Sequence, residues 1–209
     1  GKSTLCKIVA GSVRPDEGEI LLDGRPVTVS GPRAAHALGI GIFYQELSLS
    51  ARRTVAENIL LPDLPMRGGL FVDRTELASR AARYIAEFDG VSGEGFAADT
   101  PVFKLRADQR QLVEIMKTLA TEAPILIFDE PTSALDRAQV ERFFEILKRL
   151  KGEGRAIVFI SHRMDEIFAI GDRVTVIRDG ETVATSNIAE TDAPSIIRQM
   201  VGEHDEVVA

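Results

Sequence analysis

The order of apolar and polar positions along the chain predicts an α/β protein, and one segment shows this most clearly. The apolar run 125–128 ends abruptly in the carboxylates of Asp129 and Glu130, and Pro124 and Pro131 bound it. A short run of this kind is typical of a strand buried on both faces of a parallel sheet. Because open α/β sheets bind ligands at the carboxyl ends of their strands, the acidic pair is a candidate site. The alternative is a core strand followed by a charged turn.

Other apolar runs predict further β-structure. Residues 39–44 and 156–160 have the composition of buried strands. An Asp-Gly pair stands between two β-rich runs in 15–30 and again in 173–185. Because Asp-Gly favours the tight turn of a two-residue loop, both segments are predicted to be antiparallel hairpins.

Apolar residues three and four positions apart predict helices in the rest of the chain. Residues from about 50 to 122 contain several of them and no strong strand, so a helical subdomain inserted into the α/β core is predicted there. Asp108 is predicted to cap the helix that begins near Gln109, with Gln111 as its capping-box partner. Helices are predicted at 32–38, 54–61, 73–88, from about 109, and at 137–151, 164–170 and 192–201, with loops at 62–72 and 89–101.

Composition and charge exclude some classes of function. The 209 residues are 44% hydrophobic and 27% charged, which suits a globular unit with a large core. The net charge of −7 leaves no basic excess to neutralise a phosphate backbone, so we expect no nucleic-acid partner. No apolar stretch approaches the roughly 20 residues that span a bilayer. The single cysteine, Cys6, cannot form an internal disulfide, which fits a reducing, cytoplasmic setting and a packed thiol.

The first four residues, Gly1-Lys2-Ser3-Thr4, match the second half of the phosphate-binding pattern G-x-x-x-x-G-K-[ST]. In such a loop, backbone N–H groups at a helix N-terminus face the phosphates, where the helix dipole favours negative charge. Lys2 would reach the β- and γ-phosphates, and the hydroxyl of Ser3 would bind Mg²⁺. The alternative is an ordinary helix start with Ser3 as its cap.

The first glycine of that pattern is not in the sequence, and neither is an initiator methionine. We therefore expect the chain to be an N-terminally truncated piece of a longer protein. The strand that feeds the phosphate-binding loop is then expected upstream of residue 1.

The ordered set of motifs resembles the ATP-binding cassette (ABC) ATPases over essentially the whole chain. It is most similar to the first nucleotide-binding half of the double-cassette ATPases of bacterial monosaccharide importers. The resemblance implies a P-loop NTPase fold of the ABC type, with residues 1–202 as the nucleotide-binding domain and 203–209 as a tail or linker to a second cassette. The motifs that carry the resemblance are Gly1–Thr4, Tyr44-Gln45-Glu46-Leu47-Ser48, Thr54–Ile59, Asp99–Val102, Gln111-Leu112-Val113-Glu114-Ile115, Ile125–Asp136 and Ile160–Ile167.

The resemblance also implies roles for particular residues, with ATP and Mg²⁺ as cofactors. Glu130 would polarise the attacking water as general base, and His162 would contact the γ-phosphate. Asp136 would belong to the loop that crosses to the other cassette. Ser3, Gln45 and Asp129 would hold the metal. The implied nucleotide-binding residues are Gly1, Lys2, Ser3, Thr4, Gln45, Leu105, Arg106, Ala107, Asp108, Gln109, Asp129 and Asp136.

One motif departs from the family pattern. The signature, usually Leu-Ser-Gly-Gly-Gln, is Leu105-Arg106-Ala107-Asp108-Gln109 in this chain. In the family, this helix start binds the γ-phosphate held by the opposite cassette. The Asp108 carboxylate is expected to repel a phosphate, with Arg106 offsetting it in part. We therefore expect an asymmetric pair in which the site that relies on Leu105–Gln109 is weak, unless the change has no effect.

The function implied is an ATP-hydrolysing subunit that powers monosaccharide import, bound peripherally at the cytoplasmic face of a bacterial inner membrane. The implied partners are transmembrane permease subunits, a second cassette in the same chain or a homodimer, and, indirectly, a periplasmic sugar-binding protein. Two alternatives remain open, a non-catalytic or regulatory nucleotide-binding cassette and a soluble, non-transport ABC ATPase. A metabolic P-loop kinase is disfavoured because Gln45 and His162 would then have no role.

Overall fold

The computed structural model describes residues 1–202, so the predicted tail or linker at 203–209 lies outside the described residues. The strands are β1 (Ile20–Leu22), β2 (Arg25–Val27), β3 (Ile40–Phe43), β4 (Met66–Arg67), β5 (Phe71–Val72), β6 (Ile125–Asp129), β7 (Ala156–Ile160), β8 (Arg173–Arg178) and β9 (Glu181–Asn187). The α-helices are α1 (Lys2–Val9), α2 (Pro32–Ala37), α3 (Val55–Ile59), α4 (Arg74–Ala86), α5 (Ala107–Leu119), α6 (Arg137–Gly152), α7 (Met164–Ile170) and α8 (Ala193–Val201). Short 3₁₀ turns occupy Leu61–Asp63, Val102–Lys104 and Ile188–Glu190.

A parallel sheet of order β3-β6-β7 forms the centre of the molecule, as the apolar runs predict. Strand β6 lies in the middle, where Leu126 and Phe128 are fully buried. Phe43 pairs with Phe128, and Asp129 pairs with Ile160. The three strands therefore end at the same edge, because parallel pairing aligns their carboxyl ends.

Helices cover both faces of this sheet. On one face, α5 and α6 pack against β6, and the rings of Phe128 and Phe143 meet edge to face with centroids 5.2 Å apart. On the other face, Cys6 of α1 and Ala35 of α2 pack with Ile127. Burial on both faces explains why β6 is apolar from Ile125 to Phe128.

The helical block predicted at about 50–122 contains α3, α4 and α5, which share one apolar core with β6 and α6. Its division from the rest of the chain as an inserted subdomain stays a prediction. The loop predicted at 62–72 is in part a small hairpin, in which β4 pairs with β5 across Gly68 and Gly69. Both glycines have positive φ, 62° and 74°, which is why so short a turn is possible there.

The two Asp-Gly hairpins are confirmed. β1 pairs with β2, and β8 pairs with β9, each across a two-residue turn. Asp23 and Gly24 have φ of 50° and 74°, and Asp179 and Gly180 have φ of 52° and 89°. Two successive positive φ angles are what such a turn requires.

The predicted cap of α5 is wrong. The helix begins at Ala107 with Arg106 as N-cap, so Asp108 lies inside the first turn. The side-chain oxygen of Gln109 accepts a hydrogen bond of 3.1 Å from the backbone N–H of Arg106, which fixes this earlier start. Gln111 is buried and donates to the backbone carbonyl of Pro131 at 2.7 Å.

Within the part of the chain that the structure describes, β3 and β7 are the two edge strands of the parallel sheet. Among residues 1–202, no strand other than β6 pairs with β7, and its Val158 side chain is 47% exposed. Within the same residues, no helix has the length and apolar character that crossing a membrane requires.

Candidate functional site

The carboxyl ends of the three parallel strands bring predicted site residues to one edge of the sheet. Asp129 is the last residue of β6, and Glu130 follows it. His162 lies two residues beyond β7, and Gln45 lies two residues beyond β3, where its side chain is exposed. This edge is where open α/β sheets bind their ligands.

Glu130 and His162 form a direct pair across that edge. His162 Nδ1 lies 3.1 Å from Glu130 Oε1, and the side chains are 65% and 26% exposed, respectively. The tautomer of the imidazole decides which of the two atoms donates. A carboxylate and an imidazole in this arrangement can polarise a water molecule and hold it in place.

The backbone of Glu130 is in the left-handed region, with φ of 51°. A residue with a branched or long side chain adopts this region at a cost, and such outliers cluster at functional sites. The conformation persists because the Glu130 N–H donates to the carbonyl of Ile160 at 3.0 Å, continuing the sheet past β6. The bend turns the carboxylate toward His162.

Asp129 is only 5% exposed, yet within residues 1–202 it makes no ion pair and no side-chain hydrogen bond. Within these residues, no fully buried side-chain oxygen or nitrogen lacks a hydrogen-bond partner, so the Asp129 oxygens reach solvent at this edge and are open to a ligand. Carboxylate oxygens are ligands that Mg²⁺ takes, so the chemistry of Asp129 fits a metal ligand. The same residues contain no cluster of three or more histidine, cysteine, aspartate or glutamate side chains that could hold a metal without other ligands.

Helix α1 lies beside the end of β6. Burial, and to a smaller extent the negative charge of Asp129, raise the pKa of the Cys6 thiol to about 11. The N-terminus of α1, one turn earlier, carries Lys2, which is half-buried and has no ion pair within the described part of the chain. Ser3 and Thr4 are exposed.

Ser3 is not the cap of α1, because the helix starts at Lys2 with Gly1 as N-cap and no capping side chain. The N–H groups of the first turn are therefore left to an external acceptor. Gly1 lies against β8, where a Cβ atom at this position would meet Ile177 Cγ2 at 3.2 Å. A free helix start with a lysine beside a buried carboxylate can hold an anion and a cation together.

At the start of α5, Asp108 is paired more completely than the sequence predicts. Arg106 donates two hydrogen bonds to Asp108, of 3.1 Å from Nε and 2.9 Å from Nη2. Gln139 donates a third, of 3.0 Å. Desolvation opposes the charge of Asp108, but the hydrogen bonds from Arg106 and Gln139 outweigh it, so the pKa of Asp108 lies below its usual value. The carboxylate is thus neutralised locally, and the predicted repulsion of a phosphate is offset more fully than the sequence suggests.

The other residues of this segment have structural contacts. Leu105 is buried, Ala107 is exposed, and Gln109 Nε2 donates to the carbonyls of Ser92 and Glu94 at 3.0 and 2.9 Å. Asp136 caps α6 by accepting from the Gln139 N–H at 2.9 Å. Within residues 1–202, none of these side chains forms a hydrogen bond or ion pair with residues 1–4, 129–130 or 162. The chain therefore presents two separate groups of predicted site residues.

A buried network behind the strand ends escapes sequence reasoning. Glu166 of α7 is 1% exposed and accepts hydrogen bonds from Thr132 at 2.8 Å and from Ser161 at 2.6 Å. Gln111 of α5 holds the same loop from the other side through the carbonyl of Pro131. The one signal in the sequence is the position of Glu166, which is the third residue of a predicted helix and lies five residues after Ser161.

A second network links the segment after β3 to α5. Glu114 is buried and accepts from the backbone N–H of Ser48 at 3.2 Å and from its hydroxyl at 2.9 Å. Lys117 donates to the Ser48 hydroxyl at 2.7 Å and to Glu114 at 3.2 Å. These three residues line a cavity of about 550 Å³ beside the outer edge of β3.

Solved structures with this architecture are ATP-binding cassettes. The chain resembles the dimeric structure of MJ0796, a bacterial ABC transporter cassette, with a TM-score of 0.76 and 27% identity over 90% of this chain and 81% of that one. A crystal structure of the cassette MJ1267 gives a TM-score of 0.78 at 23% identity, over 97% of this chain and 84% of that one, and shows the shared fold alone.

The family model described as ABC transporter matches residues 1–133, and the chain belongs to this family. The resemblance and the fold class inferred from the motifs are thereby confirmed. A putative ribose/galactose/methyl galactoside import ATP-binding protein 2 of Burkholderia cenocepacia (strain HI2424) is 48% identical over 97% of this chain. The ribose import ATP-binding protein RbsA of Chromobacterium violaceum is 45% identical over 97% of it. The chain spans 39% of the length of both relatives.

Proposed function

We propose that this chain is the ATP-binding and ATP-hydrolysing cassette of a bacterial monosaccharide importer. The observation that carries the proposal is the Glu130–His162 pair, 3.1 Å apart, beside the buried and unpaired Asp129. The names of the relatives, which refer to ribose and galactose import, support the monosaccharide as the cargo class. Coupling of hydrolysis to transport is likewise proposed from these relatives and from the Glu130–His162 pair.

The phosphates of ATP would lie at the N-terminus of α1. Lys2 places a positive charge there, and the uncapped N–H groups from Gly1 to Thr4 supply donors. Mg²⁺, when bound, neutralises charge on the β- and γ-phosphates. Asp129 would hold it together with the Ser3 hydroxyl and the Gln45 amide oxygen.

Hydrolysis would take place between α1 and the Glu130–His162 pair. A water oxygen attacks the γ-phosphorus, the bond to the β-phosphate oxygen breaks, and ADP and inorganic phosphate leave. Glu130 orients this water and accepts its proton. His162 contacts Glu130 through Nδ1, and its other ring nitrogen would donate a hydrogen bond to an oxygen of the γ-phosphate. Positioning and charge neutralisation supply most of the acceleration in phosphoryl transfer.

A second cassette would complete each site, either in the same polypeptide or in a homodimer. The segment Leu105–Gln109 would then face the nucleotide bound by the partner, and Asp136 would lie at the junction between the two. We propose that the site facing Leu105–Gln109 is the weaker of the pair, because Arg106 and Asp108 satisfy each other rather than a phosphate.

The remaining partners follow from the same class. Transmembrane permease subunits would receive the cassette at the cytoplasmic face of the inner membrane, and a periplasmic sugar-binding protein would supply cargo to the permease. Uptake of labelled ribose and galactose by cells that lack the gene, complemented with wild type or Lys2→Ala, tests this step. Uptake restored equally by both would contradict the transport role.

ATPase activity of the complete gene product tests the proposal most directly. Glu130→Gln should lower kcat by about 100-fold or more while ATP binding is retained, because the variant keeps size and loses the base. Lys2→Ala should weaken ATP binding itself. Glu141→Gln is the matched control, since Glu141 is an exposed glutamate paired only with Arg137. Equal activity in wild type and Glu130→Gln would contradict the catalytic assignment.

One observation favours a second candidate, a cassette that binds nucleotide without hydrolysing it. Arg106 and Asp108 replace the residues that the family uses for the opposite phosphate, and their charges cancel. Equilibrium dialysis that shows ATP binding, together with no phosphate release by wild type, would favour this alternative over the proposal.

A further inference from the structure

Glu166 is the most deeply buried acidic side chain near the strand ends, and the mechanism above does not use it. Its residue is 1% exposed, and it lies in the first turn of α7. Its two oxygens have different partners. Oε1 accepts from the hydroxyl of Thr132 at 2.8 Å, and Oε2 accepts from the hydroxyl of Ser161 at 2.6 Å.

These two partners belong to the two loops that carry the Glu130–His162 pair. Thr132 lies two residues after Glu130 in the loop that follows β6, and Ser161 immediately precedes His162 after β7. One carboxylate therefore ties together the loops whose separation sets the 3.1 Å contact between Glu130 and His162. The bonds to an ionised acceptor are short, as expected for charge-assisted hydrogen bonds.

Ser161 is held in one orientation by this arrangement. Its hydroxyl donates to Glu166 and accepts from the backbone N–H of Arg163 at 3.0 Å. The turn that carries His162 is thus closed on both sides of the imidazole. Arg163 Nη1 also lies 3.3 Å from Glu166 Oε1 and supplies the positive charge that a buried carboxylate needs.

We infer that Glu166 is a positioning residue for hydrolysis, which fixes the distance and orientation of His162 relative to Glu130. This inference rests on the proposed function. Glu166 does not touch the reacting atoms. It acts through two hydroxyls, one in each loop. These contacts keep Glu130 and the imidazole of His162 at a fixed distance and orientation during turnover.

Kinetics of the complete gene product test the inference. Glu166→Gln keeps the volume of the side chain but cannot accept from both hydroxyls, so kcat should fall about 10- to 100-fold. The KM for ATP should stay within about twofold, because nucleotide contacts at α1 are unchanged. Asp165→Asn is the matched control. It is the neighbouring acid, it pairs with the same Arg163, and its side chain is 70% exposed and makes no hydrogen bond to Thr132 or Ser161 within residues 1–202.

A double-mutant cycle separates positioning from a general loss of stability. Combined with Glu130→Gln, Glu166→Gln should cause little further loss of kcat, because the base that Glu166 positions is already gone. A loss that adds in full would overturn the inference, as would wild-type kcat in Glu166→Gln or an equal loss in Asp165→Asn. If Glu130→Gln alone has no effect, the proposed function fails instead.

Variants of the hydroxyl partners keep the test decisive if Glu166→Gln does not fold. Thr132→Val and Ser161→Ala each remove one of the two bonds, and both should lower kcat at nearly constant KM. Thr132→Ser retains the hydroxyl and should restore activity. Equal kcat in Thr132→Val and Thr132→Ser would contradict a role for the Glu166 bridge.

Discussion

Two places in this molecule pair a carboxylate with a basic side chain, and they differ in how much bonding capacity is left over. At the strand ends, Glu130 has one side-chain partner within residues 1–202, His162. At the start of α5, Asp108 receives two hydrogen bonds from Arg106 and one from Gln139. The first pair keeps carboxylate lone pairs and a ring nitrogen free for a ligand. In the second pair the Asp108 carboxylate already accepts three hydrogen bonds, and in this sense the pair is saturated.

The surroundings of the two pairs follow the same contrast. Glu166 and Gln111 brace the loop after β6, and the strained φ of Glu130 is held by a hydrogen bond to β7. Rigid support around an unsatisfied group is what a reacting site needs. At the start of α5, the polar side chains are themselves structural. Gln109 accepts a hydrogen bond from the backbone N–H of Arg106 at the helix start and donates one to the carbonyl of Ser92. A charged pair near a helix start is therefore not evidence of an anion site until its partners are counted.

The largest expected effect comes from removing the unsaturated pair. His162→Ala should lower kcat for ATP hydrolysis by about 100- to 1,000-fold, the usual cost of losing one preorganised group that stabilises developing charge. His36→Ala is the control, because His36 is exposed on α2 and remote in sequence from the strand ends. A loss no greater than that of the control would remove the distinction between the two pairs.

The packing beneath the strand ends can be measured through the single cysteine of the chain. The raised pKa of Cys6 leaves roughly 100-fold less thiolate than an ordinary cysteine near neutral pH, so a thiol reagent should react slowly with the folded protein. The same protein in denaturant is the control and should react at the normal rate. Equal rates in the two states would show that α1 does not pack against β6.

The saturated pair should contribute to stability rather than to turnover. Asp108→Asn should lower the free energy of unfolding by about 1 kcal/mol near neutral pH, since it weakens hydrogen bonds to a charged acceptor. The pKa of Asp108 is lower in the folded state, so its contribution is present above the unfolded value of about 3.9 and is lost as pH falls through the folded value.

Urea denaturation at several pH values measures this contribution. Wild type and Asp108→Asn should converge only when the pH falls below the lowered pKa of folded Asp108, where both side chains are neutral. Asp172→Asn is the control, because that aspartate is 72% exposed in its pair with Lys151 and should contribute almost nothing. A constant difference between wild type and Asp108→Asn at every pH would assign the effect to packing instead of charge.

The smallest effect is expected from turning the saturated pair into a family-like signature. Arg106→Ser with Asp108→Gly should raise turnover per cassette pair by no more than about twofold, because only one of two sites depends on this segment and the other is already active. Arg106→Lys is the control, since it keeps the charge opposite Asp108. Turnover that does not rise would show that the departure from the family pattern has no functional effect.

The sequence predicts the sheet and its hairpins well because their causes are local. Residues 125–128 are apolar without interruption, and Asp-Gly pairs accept the two positive φ angles of a tight turn. The acidic pair at the end of β6 and the histidine after β7 were predicted to belong together, and parallel pairing brings them to one edge.

The supporting networks could not be predicted, because they join residues distant in sequence. Thr132 and Glu166 are 34 positions apart, and Ser48 and Glu114 are 66 apart. No periodicity connects such pairs. The cap of α5 was mispredicted for a related reason. The aspartate looks like an ordinary N-cap, but the backbone start is decided by Gln109 reaching back to Arg106.

The edge position of β7 among residues 1–202 has a consequence for how the sheet can be extended. Its outer row of N–H and C=O groups has no strand partner within residues 1–202, and the exposed Val158 lies in the middle of an apolar run. An unpaired, apolar edge is a template for strands from other molecules. Any strand that joins the sheet at β7 would pair along this row, and we expect Val158→Lys to weaken such pairing because charge on an edge strand opposes it.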